Sequence, residues 1–456
     1  MKIKLQGVAL CFICLFSGGL KAQDGEFTDV EILQQKTDAL ENAVQKLQKF
    51  KVSGYIQTQY QWAEVDADGN NFKLANRANA YETKELESFS RFGIRRGRFK
   101  LTYEDGIASG VAQLDITDKG ISSDRNTVVF KDLYLNVKDP WFGTNSFKTG
   151  IFDRPFGHEV AYSSSQRESP ERARVVQSLF PDERDLGAML TLQAAKTSPW
   201  NFLKLEAGLF AGNGIKPQIT SRMDFIGHLS ATKQIGDDMS ISGGVSAYLG
   251  GVFQNDESVF VMKDKKFVED SNSADNIGKY AKRQYIGFDA QLRMMTAAGL
   301  TQLRGEYIFG EHPGNSAGAY EFKFNIASGN ALPMTGPVYM RKIAGGYVIL
   351  TQDLGTTPFT AVLKYDWYNP NTEVSGNDIG VADSGTGAKD IIMSNIGIGL
   401  LWRINPALKL TAYYDIVKNE TTDKLPDTKD DGKITRYGWE GDRKDNVFTL
   451  RLQYKF

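Results

Sequence analysis

The 456-residue sequence contains only two cysteines and three histidines. Cys11 and Cys14 both fall within the first 22 residues, so the rest of the chain can hold neither a disulfide framework nor a cysteine zinc site. His158, His228 and His312 are too scattered for a metal or catalytic cluster. There is no excess charge of either sign. Lys+Arg number 54 against Asp+Glu 55, which excludes a general binder of nucleic acid or other polyanions. Past the N-terminus no apolar run approaches the roughly 20 residues of a membrane-spanning helix. No G-x-S-x-G elbow and no phosphate-binding P-loop occurs. The expectation from these absences is a chain that is not an enzyme and carries no cofactor or metal. An apolar content of 41% with a net charge of -1 also excludes a disordered chain.

The N-terminus states a compartment. Lys2 and Lys4 give a basic start and residues 8–16 (VALCFICLF) a short apolar core. Ser17-Gly18-Gly19 break that core, and Ala22 offers a small residue for cleavage before Gln23. Residues 1–22 read as a signal peptide. Its removal takes away Lys2, Lys4 and Lys21 and leaves 51 basic against 55 acidic residues, a net charge of -4. The mature chain would then be free of cysteine although exported.

Residues 28–50 have a helical period. Val30, Leu33, Thr37, Leu40, Val44 and Leu47 recur at alternating spacings of three and four, a seam of about three heptads. Two readings stand side by side: a small oligomerising coiled coil, or a helix that packs on its own chain or tethers it. The period then becomes two. In 52–62, Ile56, Thr58, Tyr60 and Trp62 share one face with Val52 and Gly54, while Ser53, Tyr55, Gln57, Gln59 and Gln61 share the other. In 448–456, Phe448, Leu450, Leu452, Tyr454 and Phe456 oppose Thr449, Arg451, Gln453 and Lys455. Similar alternation predicts strands at 94–104, 107–117, 128–138, 146–154, 185–195, 201–211, 222–233, 239–249, 283–295, 300–310, 340–351, 358–368, 391–403 and 407–418. With the two ends this makes an even set of 16, each about the length a tilted strand needs to cross a bilayer.

Long polar connections at about 63–93, 118–127, 155–184, 212–221, 250–282, 311–339, 369–390 and 419–445 alternate without a break with short turns. That asymmetry is the mark of an outer-membrane barrel, with loops outside and turns in the periplasm. A wall with one apolar and one polar face separates lipid from water, and in lipid such a sheet must close on itself. The fold class expected is therefore all-β, a 16-stranded antiparallel transmembrane β-barrel over 52–456. It follows a short periplasmic helix in 23–51. Outer-membrane lipid is an implied partner, and nucleic acid is not. Tyr60, Trp62, Tyr103, Tyr365, Trp367, Tyr454 and Phe456 near strand ends suit interfacial girdles.

A barrel of this width is not filled by its own side chains. The third long connection is charged and opens on Pro155-Phe156-Gly157-His158-Glu159; folded inward it would narrow the pore. Here the sequence resembles the phosphate-selective porin O and P family. The resemblance rests on Arg95, Arg96 and Arg98, on Gly150 and Phe152 leading into Pro155-Phe156-Gly157-x-Glu159, on Ser163-Ser164, and on Phe180-Pro181-x-x-Arg184-Asp185-x-Gly187. It implies a homotrimeric outer-membrane channel with its third loop inside and arginines guiding anions such as phosphate. The Ala22-Gln23 junction points to a Bacteroidetes-type bacterium.

The residues themselves lean the same way only modestly. Lumen-facing Arg96, Arg98, Lys100, Lys204, Arg293, Arg304, Lys364, Lys409, Arg451 and Lys455 stand against Asp115, Glu206, Asp224, Asp289, Glu306, Asp366 and Asp415. Lys148 and Arg154 add to the basic side. Period two puts Arg96, Arg98 and Lys100 on one face of one strand, where guanidinium forks suit phosphate or carboxylate. The loop adds Arg167, Arg172, Arg174 and Arg184, interspersed with Glu159, Glu168, Glu171, Asp182, Glu183 and Asp185. These charges either guide anions or pair with one another and pin the loop to the wall. The function expected is passive diffusion of small hydrophilic solutes, leaning to anions. The alternative is a surface-binding barrel, an adhesin or receptor acting through its long loops.

Overall fold

The computed structural model describes residues 29–67, 88–116, 128–215, 218, 220–316, 336–430 and 433–456. The expected signal peptide, 1–22, lies outside the described residues. The chain divides into two units, Met1–Phe50 and Lys51–Phe456. The first holds helix α1 (Asp29–Gln48). Its seam is in the open: Leu33, Leu40, Val44 and Leu47 are each at least half exposed. Thr37, the polar member of the seam, turns its hydroxyl back to the Leu33 carbonyl at 2.9 Å.

The second unit is a closed barrel. Its strands are β1 (Phe50–Ala63), β2 (Phe89–Asp105), β3 (Ala108–Asp115), β4 (Val129–Lys138), β5 (Ser146–Asp153), β6 (Arg184–Gln193), β7 (Leu203–Phe210), β8 (Asp224–Ile235) and β9 (Met239–Phe253). A hairpin β10 (Ser258–Lys263) and β11 (Lys266–Asn272) stands outside the ring. The ring continues through β12 (Tyr280–Thr296), β13 (Gly299–Gly314), β14 (Val338–Asp353), β15 (Phe359–Asn369), β16 (Met393–Arg403) and β17 (Leu408–Asn419). A second small hairpin, β18 (Thr428–Asp430) and β19 (Lys433–Arg436), precedes β20 (Val447–Lys455). Sixteen strands form the ring, each antiparallel to its neighbour in sequence, and β20 pairs with β1 from Tyr55↔Lys455 to Ala63↔Val447 to close it.

The period-two pattern is what the wall needs. Gln57, Gln59 and Gln61 point inward and are buried, while Ile56 on the opposite face is 45% exposed. The same inversion runs round the ring, with Leu133, Leu135, Leu205, Leu209, Ile396, Ile398, Leu400, Leu452 and Tyr454 exposed on the outside. All 16 expected strands form. The differences are at the long-loop ends, where β2, β9, β12, β13 and β14 run past the expected limits. There the antiparallel ladder continues into stretches such as Gly250-Gly251-Val252-Phe253 and Glu311-His312-Pro313-Gly314, which carry no alternation of apolar and polar residues to betray it. The long connections expected at 250–282 and 419–445 likewise contain the two hairpins. Beyond the barrel mouth, Val374, Ile379, Ile391 and Trp439 pack with Met262, Leu425 and Met393, so these loops cover one another.

Candidate functional site

Between β5 and β6 the chain turns inward and crosses the lumen. The entry depends on Gly157, whose φ of +58° belongs to the left-handed region that glycine adopts freely. A Cβ there would also lie 1.6 Å from the Glu306 carboxylate of β13. That closeness serves a latch: the His158 and Glu159 amides donate to Glu306 at 2.9 and 2.8 Å. The Gly157 amide donates to Ser246 Oγ of β9 at 2.8 Å. Short helix α2 (Arg174–Leu179) follows, its Arg174 amide donating to Asp366 of β15 at 3.0 Å.

The loop brings an apolar core with it. Phe156, Val160, Ala173, Val175, Val176, Leu179 and Phe180 are buried with lumen-facing Phe152, Phe210, Tyr248, Tyr285, Ile308, Tyr347 and Tyr413. Phe180 packs edge-on against Tyr248 and Tyr285. Two wall glycines make the recesses: a Cβ on Gly287 would lie 2.7 Å from Phe156, and one on Gly345 2.8 Å from Val175. Burial of these rings and aliphatic groups is a sequence-independent adhesive, worth about 1.5–3 kcal/mol for each fully buried side chain.

Charge pairs set the loop's register. Glu171 is gripped by three wall guanidiniums: Arg95 bidentately at 2.7 and 2.9 Å, Arg96 at 3.1 Å and Arg451 at 2.9 Å. Burial pushes the Glu171 carboxyl up, but these three cations outweigh it and hold it well below the carboxylate range. Glu168 meets Arg304 at 2.5 Å. Arg184 reaches Asp132 and Asp153 on the wall and Glu183 on the loop. Arg172 bridges Glu183 to the carbonyls of Glu159, Val160 and Tyr162. Arg154 pairs with Asp185 at 3.3 Å.

The structure thus puts the sequence-derived basic residues to different uses. Arg96 and Arg98 face inward as the alternation required. Arg96 is committed to Glu171 and Gln57, and Arg98 to Asp115 and the Ser164 hydroxyl. Lys100, on the same face, is half-buried and makes no hydrogen bond or ion pair among the described residues. Lys148 lies over the Tyr134 and Phe152 rings at 5.0 and 5.3 Å. Arg174 donates to Met393 Sδ at 3.1 Å.

Arg167 is the exception. It is 4% exposed, and none of its three guanidinium nitrogens has a hydrogen-bond partner among the described residues. It lines a small polar cavity with Gln57, Ser164, Lys409, Thr411, Arg451 and Gln453, and with Glu168, whose carboxylate is held by Arg304. Burial, and next the Arg172 charge, push its pKa down to about 10, so it stays cationic at neutral pH. Lys409 donates to the Ser165 and Arg167 carbonyls at 3.3 and 2.9 Å, and Arg451 to the Pro170 carbonyl at 2.6 Å.

Sequence reasoning missed Arg95 as a lumen residue. Phe92 is 84% exposed and Phe99 43% exposed, so the outward phase slips by one between them and both Arg95 and Arg96 turn inward. The pair of adjacent arginines was the available signal. It also counted Lys409, Arg451 and Glu306 among lumen charges without giving them roles.

No protein-family model matches the chain, and no curated protein matches it in sequence. Solved structures do resemble it. One is an anion-selective porin from Comamonas acidovorans, 12% identical, covering 89% of this chain and 99% of its own, with a TM-score of 0.49. Another is the outer-membrane channel DcaP of Acinetobacter baumannii, 11% identical over 89% and 97%, with a TM-score of 0.49. A third is OprB of Pseudomonas putida, 8% identical over 92% and 97%, also with a TM-score of 0.49.

Proposed function

We propose that the chain is an outer-membrane porin that gives passive diffusion to small hydrophilic solutes and leans to anions, phosphate among them. A closed ring with exposed Leu, Ile and Tyr outside and buried Gln, Arg and Asp inside supports a membrane wall around a polar lumen. The observation that carries the anion leaning is Arg167: a buried guanidinium without a hydrogen-bonded counter-ion among the described residues, beside Lys409 and Arg451, in a cavity whose one acid, Glu168, is held by Arg304. A charge in a water-poor constriction raises the local concentration of the opposite ion. The arginines that hold the loop contribute by fixing its position. Phosphate is the favoured anion because a free guanidinium fork matches its oxygens bidentately. The resemblance of 150–187 to the phosphate-selective porins supports the same choice.

A homotrimer belongs to this reading. β5 and β7 have only 8 residues each, whereas β12 has 17. At a tilt near 45°, 8 residues rise about 19 Å, short of the roughly 25 Å apolar band of such barrels. A low wall of this kind is best covered by another copy. The open seam of α1 supports the same assembly.

The test is electrical. Purified protein in a planar bilayer is expected to give discrete conductance steps in potassium chloride. Arg167→Gln, which removes the free cation and breaks no hydrogen bond, is expected to lower the chloride-to-potassium permeability ratio about two- to fivefold. An unchanged ratio rejects Arg167 as the selecting charge. Traces without steps, together with a ligand bound at the covered loops around Trp439, favour the surface-binding alternative.

A further inference from the structure

Two polar cavities flank Ser169 and Pro170 of the inward loop, and what each leaves unsatisfied is opposite in kind. In the first, the unmet groups are donors, the three nitrogens of Arg167. In the second, they are the acceptor oxygens Asn395 Oδ1 and Gln177 Oε1, together with the Tyr413 hydroxyl. Asn395 is 7% exposed and Tyr413 1%.

The amide orientations are fixed by their other ends. Asn395 Nδ2 donates to Asp415 at 2.8 Å and Asp366 at 3.4 Å, and Gln177 Nε2 donates to the Arg172 carbonyl at 2.7 Å. The oxygens are therefore what each residue presents to the cavity. Asp366 and Asp415 line the same space. The cations that also line it each have partners. Arg172 is bound to Glu183 and loop carbonyls and Arg174 to Met393, and Lys364 lies 3.6 Å from Asp366 within the cavity and 3.7 Å from Glu159. The lining Glu171 is held by Arg95, Arg96 and Arg451, which leaves Asp415 as the carboxylate without a cationic partner among the described residues.

We propose that the two cavities are consecutive subsites for zwitterionic solutes, amino acids and short peptides. The carboxylate would sit on Arg167 and the ammonium among Asn395, Tyr413 and Asp415. An inorganic anion satisfies only the first set, and a neutral sugar meets neither charge. A solute with a carboxylate at one end and an ammonium at the other satisfies both, and it pays less desolvation at the constriction. Sites that hold each end moderately also suit passage, because a solute must leave as readily as it enters. The inference rests on the channel reading above.

The test uses the full mature chain in a planar bilayer carrying chloride current. Glycylglycine carries no net charge, so its entry reads as a reduction of that current. N-acetylglycine has a similar size and the same carboxylate but no ammonium. The expected result is a block by glycylglycine at about fivefold lower concentration than by N-acetylglycine. Asp415→Asn is expected to remove that difference, and Arg167→Gln to weaken block by both. Heat-modifiable gel mobility checks that each variant forms the barrel, and Tyr413→Phe replaces Asp415→Asn if the latter does not. Equal block by the two compounds in the native chain, or a difference that survives both Asp415→Asn and Tyr413→Phe, overturns the proposal while the channel stands. A native protein that conducts no chloride and admits no erythritol into liposomes overturns the channel reading and this one with it.

Discussion

Gly157 shows at the scale of one residue why a short motif was legible but its reason was not. The sequence displays Pro155-Phe156-Gly157-x-Glu159 as a distinctive string, yet nothing in it points to Glu306, 149 positions away. The structure supplies both constraints on the position, a φ of +58° and a Glu306 oxygen where a Cβ would lie. Gly157→Ala is expected to cost about 1–3 kcal/mol and to displace the loop entry. A lowered midpoint of heat-modifiable unfolding and noisier current would show it. An unchanged midpoint would mean that the turn relaxes without loss. Arg167 is the converse case. It was one of several loop arginines in the sequence, and only the absence of a partner in three dimensions sets it apart.

At the scale of elements, strands were readable and the loop's path was not, for one physical reason. A strand's inside and outside follow from a local period of two, which any short stretch displays. The loop is placed by contacts between residues remote in sequence, such as Glu171 with Arg451, 280 positions apart, and Arg304 with Glu168, 136 apart. Pairing of loop and wall charges was one of two sequence readings, and the structure contains such pairs, with the Arg167 guanidinium left outside them among the described residues.

Glu171 makes the sharpest element-scale prediction. Its folded-state pKa lies below the unfolded value. Its contribution is therefore present above the unfolded pKa and is lost only as pH falls through the lower folded value. The loop should stay in place through mild acid and loosen below the ordinary carboxylate range, which conductance recorded from pH 7 downward would show. Glu171→Gln strands Arg95, Arg96 and Arg451 and is expected to cost about 3–5 kcal/mol. In that variant the conductance should already be unsteady at pH 7. A native channel that changes near pH 5, or a steady Glu171→Gln channel, would contradict the latch. Deletion of 28–50, which removes the open α1 seam, is expected to lower the stability of the proposed trimer on gels while leaving the barrel intact. An equally stable trimer would reject a coiled-coil role for α1.

At the scale of the whole molecule, the averages conceal the arrangement. A mean hydropathy of -0.36 describes neither face of a wall that is apolar outside and polar inside. The net charge near zero likewise says nothing of a lumen in which many charges cancel in pairs while the buried Arg167 guanidinium has no partner among the described residues. Class, strand number and loop asymmetry were legible because they repeat along the chain. The loop's path across the lumen was not, because it depends on contacts with strands from many sides of the ring. The most direct measurement is the reversal potential of the purified channel across a potassium chloride gradient, repeated with potassium phosphate. The expected sign is that of anion preference in both salts. A potential of the cation-selective sign, or a membrane that shows no channel steps at all, would contradict an anion-leaning diffusion pore.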